Sequence, residues 1–172
     1  RNEFGIDRGM WVSPDCKKIL FYKKDERMVK DYPLVDFGAR IAEVKTIKYP
    51  MAGLKSEEVT LHVYDIDTKT TTLLNIEGDK EQFLTMPTWS PNSDFVYVGV
   101  LNRGQNHLKL QRYTAATGKL DKQLFEEKSK TYVEPNTPLK FLNDKEFIYV
   151  SEKDGYRQMY RYNTSGKQLN SY

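Results

Sequence analysis

The sequence of 172 residues has a single cysteine, Cys16, and only two histidines, His62 and His107. One cysteine cannot form a disulfide within the chain and cannot supply a cysteine-based zinc site. No apolar run approaches the roughly 18 residues that a membrane-spanning helix needs. The Gly-x-Ser-x-Gly turn of serine hydrolases, the Gly-x-Gly-x-x-Gly dinucleotide motif and the P-loop are also absent. We therefore expect no catalytic residue, metal ion or cofactor site in this chain.

Charge of one sign is not in excess either. The chain has 27 basic and 24 acidic side chains, a net charge of +3, and the two signs are interspersed. The lysine pairs at 17–18 and 23–24 are interpreted as solvated surface, because no stripe of basic residues interleaves with stacking aromatics. Hydrophobic residues make up 38% of the chain. These features predict a globular domain without a nucleic-acid partner.

What the sequence does contain is a repeat. Tyr64, Tyr113 and Tyr162 follow each other at a spacing of 49 residues. Each tyrosine lies near the end of a segment with period-2 alternation, and a polar turn and a second short strand follow. A repeat of about 50 residues is typical of β-propeller blades. One blade cannot bury both faces of its sheet alone, so neighbouring blades must stack.

The repeat predicts an all-β fold with three four-stranded antiparallel blades. Ser13-Pro14-Asp15 and Ser90-Pro91-Asn92 mark turns between first and second strands, because proline presets φ and Asp or Asn can bond its own backbone. The predicted divisions are blade one at 10–76 with an inserted arm at 24–58, blade two at 83–126, blade three at 137–172, and a leading segment at 1–9.

The arm at 24–58 is about 30 residues longer than the corresponding links of the other blades. Loops of this size are uncommon and often functional. The segment from Ile41 to Ile47 alternates like a strand, and aliphatic residues recur along the arm. A contact surface is one interpretation, since a solvated loop carries fewer aliphatics; a flexible surface excursion is the other. The aliphatic residues are Val29, Leu34, Val35, Ile41, Val44 and Ile47.

Several motifs together resemble the propeller domain of dipeptidyl peptidase IV, in the prolyl oligopeptidase superfamily, and their order fits its bacterial branch. The resemblance covers essentially the whole chain. Ser-Pro-Asp turns alone are shared with other propellers, whereas the combination with the first segment and the arm is more specific. The motifs are Arg1–Ile6, Trp11–Asp15, Tyr49–Gly53, Trp89–Asn92, Asn102–Asn106, Tyr132–Pro135 and Asp154–Arg157.

This resemblance implies a fragment, roughly blades four to six, of an eight-bladed propeller that caps a C-terminal α/β-hydrolase domain of the same parent chain. Family members are serine peptidases that release dipeptides from free N-termini, preferring Pro or Ala at the penultimate position. Their propeller recognises the amine through two adjacent glutamates. Here Glu3 matches the second glutamate, and Asn2 stands where the first would be. This departure leaves one carboxylate and one amide oxygen to receive the ammonium.

The chemistry of such an anchor is simple. An N-terminal ammonium has three donors and one positive charge, and a carboxylate in a partly desolvated pocket forms charge-assisted hydrogen bonds with it. We therefore expect 1–9 to be a substrate-anchoring segment. The arm matches the region that family members use for dimer contacts. A periplasmic or secreted bacterial protein is expected, or one anchored to a membrane through a preceding segment.

Two other motifs allow narrower expectations. Tyr132–Pro135 loosely matches a loop that borders the second substrate pocket of the family, with an ordinary link between blades as the alternative. In Asp154–Arg157, Gly155 suits a hairpin position with positive φ, which is a structural role.

Two other functions stay open from the sequence. One is a non-catalytic propeller, either a TolB-like scaffold or an inactive peptidase homologue. The other is a related peptidase of the acylaminoacyl or oligopeptidase type, which would lack the acidic anchor.

Overall fold

The computed structural model describes residues 8–172, which form strands and turns and no helix. The strands in chain order are β1 (Met10–Val12), β2 (Lys18–Asp25), β3 (Asp31–Asp36), β4 (Glu43–Lys48), β5 (Glu58–Asp65), β6 (Thr70–Leu73), β7 (Phe83–Trp89), β8 (Phe95–Leu101), β9 (His107–Thr114), β10 (Leu120–Lys128), β11 (Lys140–Asn143), β12 (Glu146–Ser151), β13 (Gln158–Asn163) and β14 (Gln168–Ser171). The all-β prediction is confirmed.

These strands form three four-stranded antiparallel sheets and one separate hairpin. Sheet one has the order β1-β2-β5-β6, sheet two β7-β8-β9-β10, and sheet three β11-β12-β13-β14. Each sheet is a simple meander, except that the hairpin β3-β4 is inserted between the second and third strands of sheet one. The insertion spans 26–57, because β2 continues to Asp25 and β5 begins at Glu58.

The sheets stack face to face, and sheet two is buried on both sides. One core cluster lies between sheets one and two, and a second lies between sheets two and three. Strand β8 therefore has almost no exposed position and reads as a continuous apolar run instead of an alternating one. Tyr113 belongs to the first cluster and Tyr162 to the second. The equivalent Tyr64 lies on the other face of sheet one from the buried Val63 and is partly exposed.

The turns predicted from Ser-Pro-Asp/Asn chemistry are present. Ser13 Oγ accepts a hydrogen bond from Lys18 N–H (2.9 Å) and donates one to the Asp15 carboxylate. Ser90 Oγ likewise accepts from Phe95 N–H (2.9 Å) in sheet two. The last residue of each four-residue turn, Cys16 in the first, has a positive φ. The serine hydroxyls thus close both turns by satisfying backbone donors that would otherwise have no partner.

Hydrogen bonds from side chains to backbone carbonyls also join neighbouring sheets. Trp89 Nε1–H donates to the Trp11 carbonyl (3.1 Å) between sheets one and two. Arg112 of sheet two donates to the Thr164 carbonyl of sheet three (3.0 Å) and pairs with Asp121 of its own sheet. Together with the apolar clusters, these bonds fix the sheets relative to one another.

The arm is a β-hairpin with most of its apolar side chains exposed. Leu34 is 44% exposed, Val44 64% and Ile41 82%. Val29 differs from the other aliphatic residues of the arm, because it is only 2% exposed at the hairpin's base. Val29 therefore supports the arm, and the strands beyond it provide the open surface.

Candidate functional site

One end of the three sheets carries all the longer connections, and we call it the leading edge. The first strands β1, β7 and β11 begin here, since Met10 pairs with Phe21 and Phe83 pairs with Leu101 near the ends of the second strands. The arm, the segment 74–82, the turn 102–106, the segment 129–139 and the turn 152–157 therefore lie at this end.

The predicted anchor residues Asn2 and Glu3 lie outside the described residues. The chain that follows them reaches sheet one at the leading edge, where Tyr22 N–H donates to the Gly9 carbonyl (3.1 Å). In the repeat, residues 8–9 correspond to the end of the segment 129–139, because each directly precedes the first strand of a sheet.

A polar cavity of about 270 Å³ opens at the leading edge between sheets two and three. The segment 129–134 forms one wall, and this wall is fixed to the neighbouring turn by two backbone hydrogen bonds. Ser129 N–H donates to the Asn106 carbonyl (3.0 Å), and Val133 N–H donates to the Gln105 carbonyl (2.7 Å). Val133 is buried, whereas Tyr132 is 57% exposed beside the cavity.

The side chain of Asn102 stabilises the turn 102–106, which binds this wall. Asn102 Oδ1 accepts from the backbone N–H groups of Asn106 and His107, both at 3.0 Å. Gln105 takes a positive φ of 55° within the turn. A short asparagine side chain therefore replaces the missing backbone partners, which explains why the Asn102–Asn106 motif forms a compact turn here.

Glu127 forms the opposite side of the cavity together with two hydroxyl groups. Its carboxylate accepts hydrogen bonds from the Tyr149 hydroxyl (2.8 Å) and from Ser151 Oγ (2.7 and 2.8 Å). Tyr149 and Ser151 are buried, and they share one face of β12 at period-2 positions. Burial, followed by the Glu127 carboxylate, raises the pKa of Tyr149, so this phenol stays a neutral donor.

Lys153 lines the cavity next to Ser151. Its backbone N–H donates to Ser151 Oγ (3.0 Å), and its ammonium donates to the Tyr162 hydroxyl (3.0 Å). The ammonium also lies 4.1 Å from the centroid of the Tyr160 ring. Lys153 is thus held by a ring face and by polar oxygens, a fixed arrangement for a long side chain.

The turn Asp154–Arg157 has the structural role predicted for its glycine. Gly155 has a φ of 91°, which a residue with a side chain adopts only at a cost. Asp154 accepts a hydrogen bond from the Tyr160 hydroxyl (2.8 Å), and burial followed by this bond raises the pKa of Tyr160 to about 12. Arg157 donates to Thr137 Oγ1 (3.0 Å), so the turn also contacts the segment 129–139 beyond the cavity wall.

The two histidines lie in third strands, and neither lines the cavity. His107 Nε2 is 2.7 Å from Glu126, and this contact, with that of Lys128, lowers the pKa of the Glu126 carboxyl. His62 stacks on Phe21 with ring centroids 5.5 Å apart, and burial lowers the pKa of His62.

Within residues 8–172, no three His, Cys, Asp or Glu side chains converge as metal ligands. No helix in that part of the chain is long and apolar enough to cross a membrane.

Comparison with known proteins decides the family. The sequence model of the family described as "Dipeptidyl peptidase IV (DPP IV) N-terminal region" matches residues 1–171. The chain belongs to this family. A crystal structure described as a dipeptidyl aminopeptidase IV of Bacteroides ovatus superposes with a TM-score of 0.90 and 41% identity, over 96% of this chain and 24% of that one. The three sheets are therefore β-propeller blades, and we call them blades one to three.

Other relatives agree with this assignment. Dipeptidyl peptidase 4 of Porphyromonas gingivalis superposes with a TM-score of 0.87 and 30% identity, over 99% of this chain and 24% of that one. A dipeptidyl-aminopeptidase B of the fungus Pyrenophora tritici-repentis is 30% identical over 179 aligned positions, which cover 89% of this chain and 20% of the relative. The chain thus spans about a quarter or less of the proteins it matches.

The sequence left open whether Tyr132–Pro135 borders a substrate pocket or is an ordinary link between blades. Tyr132, Val133 and Glu134 line the cavity, and the substrate-pocket role stays a prediction. Glu127 and Ser151 were not singled out. The available signal was a serine at a core-facing position of β12, where a hydroxyl needs a buried partner.

Proposed function

We propose that this chain is the propeller portion of a serine-type dipeptidyl peptidase that releases X-Pro and X-Ala dipeptides from free peptide N-termini. The parent protein would have an eight-bladed propeller, and an α/β-hydrolase domain elsewhere in the same parent chain would supply the catalytic triad. The role of this portion is to hold the substrate amine. The observation that carries the proposal is the match of residues 1–171 to the dipeptidyl peptidase IV N-terminal region.

Glu3 is the proposed anchor, and Asn2 is its proposed auxiliary. The substrate ammonium would donate to the Glu3 carboxylate and to the Asn2 amide oxygen, and so satisfy its charge with one ion pair. An amine held at a fixed distance from the nucleophile allows only a dipeptide to leave, because a longer or shorter product would not reach both sites.

The position of the cavity supports this assignment. Residues 8–9, which follow the proposed anchor, and the segment 129–139, which includes the cavity wall, both precede first strands at the leading edge of the blades. A peptide bound by its amine near 1–9 would therefore lie along the side of the propeller that carries Tyr132 and Glu134. We propose that this side faces the hydrolase domain.

The test is hydrolysis of a Gly-Pro chromogenic substrate by the parent protein and its Glu3→Gln variant. Loss of a buried charge partner costs about 3–5 kcal/mol, so kcat/KM should fall by roughly 10²-fold to about 5 × 10³-fold. Asp67→Asn removes an exposed carboxylate in the turn between β5 and β6, at the end of blade one opposite the leading edge, and serves as the control, with an expected change below about twofold. An inert native protein would favour a non-catalytic propeller instead.

We also propose that the arm supports a homodimer and that the parent acts in the periplasm or outside the cell. The exposed Leu34, Val44 and Ile47 of the hairpin support the first part, since such side chains gain from burial against a partner. Sedimentation of the parent protein tests the dimer, and fractionation of the producing cells tests the compartment.

A further inference from the structure

The fourth strand of blade one stops halfway along its neighbour. Strand β6 pairs with β5 only from His62 to Asp65, so the first half of β5, Glu58–Leu61, has no partner strand on that side among the described residues. In blade two, the corresponding strand β10 pairs along β9 as far as His107, where β9 begins. Blade one therefore has a gap where the second half of a fourth strand would lie.

The chain turns away from β5 at the end of β6. Leu74 N–H still donates to the Leu61 carbonyl (3.0 Å), whereas the next residue, Asn75, donates to the Gly118 carbonyl of blade two (2.8 Å). Backbone groups of an antiparallel strand alternate between its two sides. Since the Leu61 carbonyl points toward β6, the N–H and C=O of Val59 point toward the gap. An open strand edge of this kind binds extended peptides by strand addition.

A groove of about 480 Å³ fills this gap at the leading edge. Its floor is apolar, because Val59, Leu74 and Ile76 line it. Leu74 is buried, and Ile76 packs against the core cluster between blades one and two. Leu73, which also lines the groove, is 45% exposed. The groove thus offers apolar surface next to unpaired backbone groups.

The segment between β6 and β7 forms the other wall of the groove and is fixed by hydrogen bonds. Gln82 donates from its backbone N–H to the Asp79 carbonyl and from its side-chain amide to the Glu77 carbonyl, both at 3.1 Å. Ser56 N–H donates to Glu81 Oε1 (3.1 Å), which joins this wall to the chain just before β5. The groove is therefore formed before a ligand binds, so binding costs little ordering of the protein.

The charged groups of the groove are mostly acidic. Glu58, Glu77 and Asp79 line it, and Lys80 is the single cation of the described residues that do so. Lys80 Nζ lies 3.6 Å from Glu58 in an exposed pair, which is a weak interaction. Glu77 and Asp79 have no ion-pair partner among the described residues. A cationic side chain of a ligand would therefore gain charge-assisted contacts here.

We infer that this groove is an exosite, which binds the downstream part of a peptide substrate as an extended strand beside Val59. The inference rests on the proposed function, which brings peptides with free N-termini to the leading edge, and it specifies their class. The substrate that fits has an aliphatic residue for the apolar floor and, within the same few residues, a lysine or arginine for Glu77 and Asp79.

Strand spacing gives the position of this part of the substrate. The gap is three strand positions from β1, and neighbouring strands lie about 4.8 Å apart, so it lies about 14 Å outward from residues 8–9. An extended chain advances about 3.3 Å per residue. A peptide bound by its amine near the chain that precedes β1 therefore reaches the groove from about its fifth residue onward.

Hydrolysis of longer peptides by the parent protein tests the substrate class. Two peptides of ten residues begin with Gly-Pro and differ only at positions six to eight, which are Lys-Val-Lys in one and Glu-Val-Glu in the other. The kcat/KM for release of Gly-Pro should be about tenfold or more higher for the basic peptide. In the double variant Glu77→Lys with Asp79→Lys, this preference should fall below about threefold.

The matched control is the double variant Asp67→Lys with Asp144→Lys. It makes the same change in net charge, but in the turns β5-β6 and β11-β12 at the opposite end of the blades. Its preference for the basic peptide should equal that of the native protein. An equal loss of preference in both double variants would show that overall charge, and not the groove, selects the substrate.

Backbone methylation of a probe tests the strand pairing. The basic peptide is acetylated at its N-terminus, so that it offers no free amine to Glu3, and its binding to the parent protein is followed by fluorescence anisotropy. N-methylation of successive residues, one at a time, should raise Kd about tenfold at alternate positions and less than about threefold at those between. The same effect at every position would contradict strand addition.

The two assays separate the exosite from the peptidase activity. A native protein that hydrolyses the Gly-Pro chromogenic substrate but does not distinguish the two peptides overturns the exosite alone. An inert protein that binds the acetylated probe with the alternating pattern overturns the peptidase proposal, while the groove stands as a site for extended basic peptides. A native protein that does not bind the probe, as when another segment of the parent chain fills the gap, overturns the exosite.

Discussion

At the scale of single residues, Glu127 joins blades two and three at the cavity. It lies near the end of β10 in blade two, and its carboxylate accepts hydrogen bonds from Tyr149 and Ser151 in blade three. Both donors are buried. A buried hydroxyl that loses its acceptor costs about 1–3 kcal/mol. Glu127 therefore stabilises the contact between the blades and shapes the cavity at the same time.

Replacing Glu127 by alanine should lower the free energy of unfolding by about 1–3 kcal/mol. Glu152→Ala, which truncates an exposed carboxylate at the same cavity, should change it by less than about 0.5 kcal/mol. Urea denaturation followed by fluorescence measures both. Adding Tyr149→Phe to the Glu127 variant should cost less than Tyr149→Phe alone, and equal costs would show that the two groups are not coupled.

The carboxyl group of Asp15, in the turn that joins β1 to β2, makes the stability of the protein depend on pH in the acid range. The hydrogen bond from Ser13, followed by that from Lys17 N–H, lowers the pKa of Asp15 from 3.8 to about 2. The stabilisation is therefore complete above about pH 4 and is lost as the pH falls toward 2. Between pH 5 and pH 2.5, the melting temperature of the Asp15→Asn variant should fall less than that of the native protein. Parallel melting curves of the two proteins would contradict this role.

At the scale of elements, two glycines of the repeat hold adjacent blades together. A Cβ at Gly118 would come 1.9 Å from the Leu73 carbonyl oxygen of blade one, and a Cβ at Gly166 would come 2.2 Å from the Leu124 oxygen of blade two. Both glycines also have positive φ values. The turn before each fourth strand therefore lies against the outer part of the preceding blade, where only glycine fits.

Gly118→Ala and Gly166→Ala should each destabilise the protein by more than about 2 kcal/mol, through steric overlap with backbone and through strain. Gly155→Ala is the matched control, because Gly155 has a similar φ but no neighbouring atom within 4 Å of its Cβ position. Its cost should stay near 1 kcal/mol. Equal melting temperatures for all three variants would show that blade contact does not select glycine.

Local elements were predictable from the sequence because local chemistry determines them. The turns at Ser13 and Ser90 follow from serine, proline and acid or amide side chains within a few residues, and both were predicted. The alternating stretch from Ile41 to Ile47 indicated a strand, and β4 occupies Glu43–Lys48. Strand β3 was not predicted, because Pro33 interrupts its pattern and only the register with β4 explains how proline is tolerated there.

The cavity could not be predicted in the same way, since it depends on contacts between blades. Glu127 and Ser151 are 24 residues apart and meet only when blade two stacks on blade three. The anchor proposed at Asn2 and Glu3 came from a family resemblance and from no pattern of spacing. It lies outside the described residues and stays a prediction.

At the scale of the whole molecule, the stack of three blades leaves two sheet faces open among the described residues. Met10 and Val12 of blade one and Met159 of blade three are each more than half exposed. A propeller blade buries both faces only between neighbours, as blade two does. The isolated chain of 172 residues therefore presents apolar surface and free strands that favour self-association.

The isolated chain should accordingly be dimeric or prone to aggregation. Light scattering over a tenfold range of concentration measures this directly, and the mean mass should rise with concentration. A constant monomer mass across the range would show that the exposed faces of blades one and three do not drive association.

The proposed function depends on Glu3 receiving a free amine. The decisive measurement is the ratio of kcat/KM for a Gly-Pro substrate to that for its N-acetylated form, in the parent protein and in Glu3→Gln. The native ratio should be large and should fall by about 10² or more in the variant, because only the free amine needs the carboxylate. An unchanged ratio in Glu3→Gln would contradict the anchor and the function built on it.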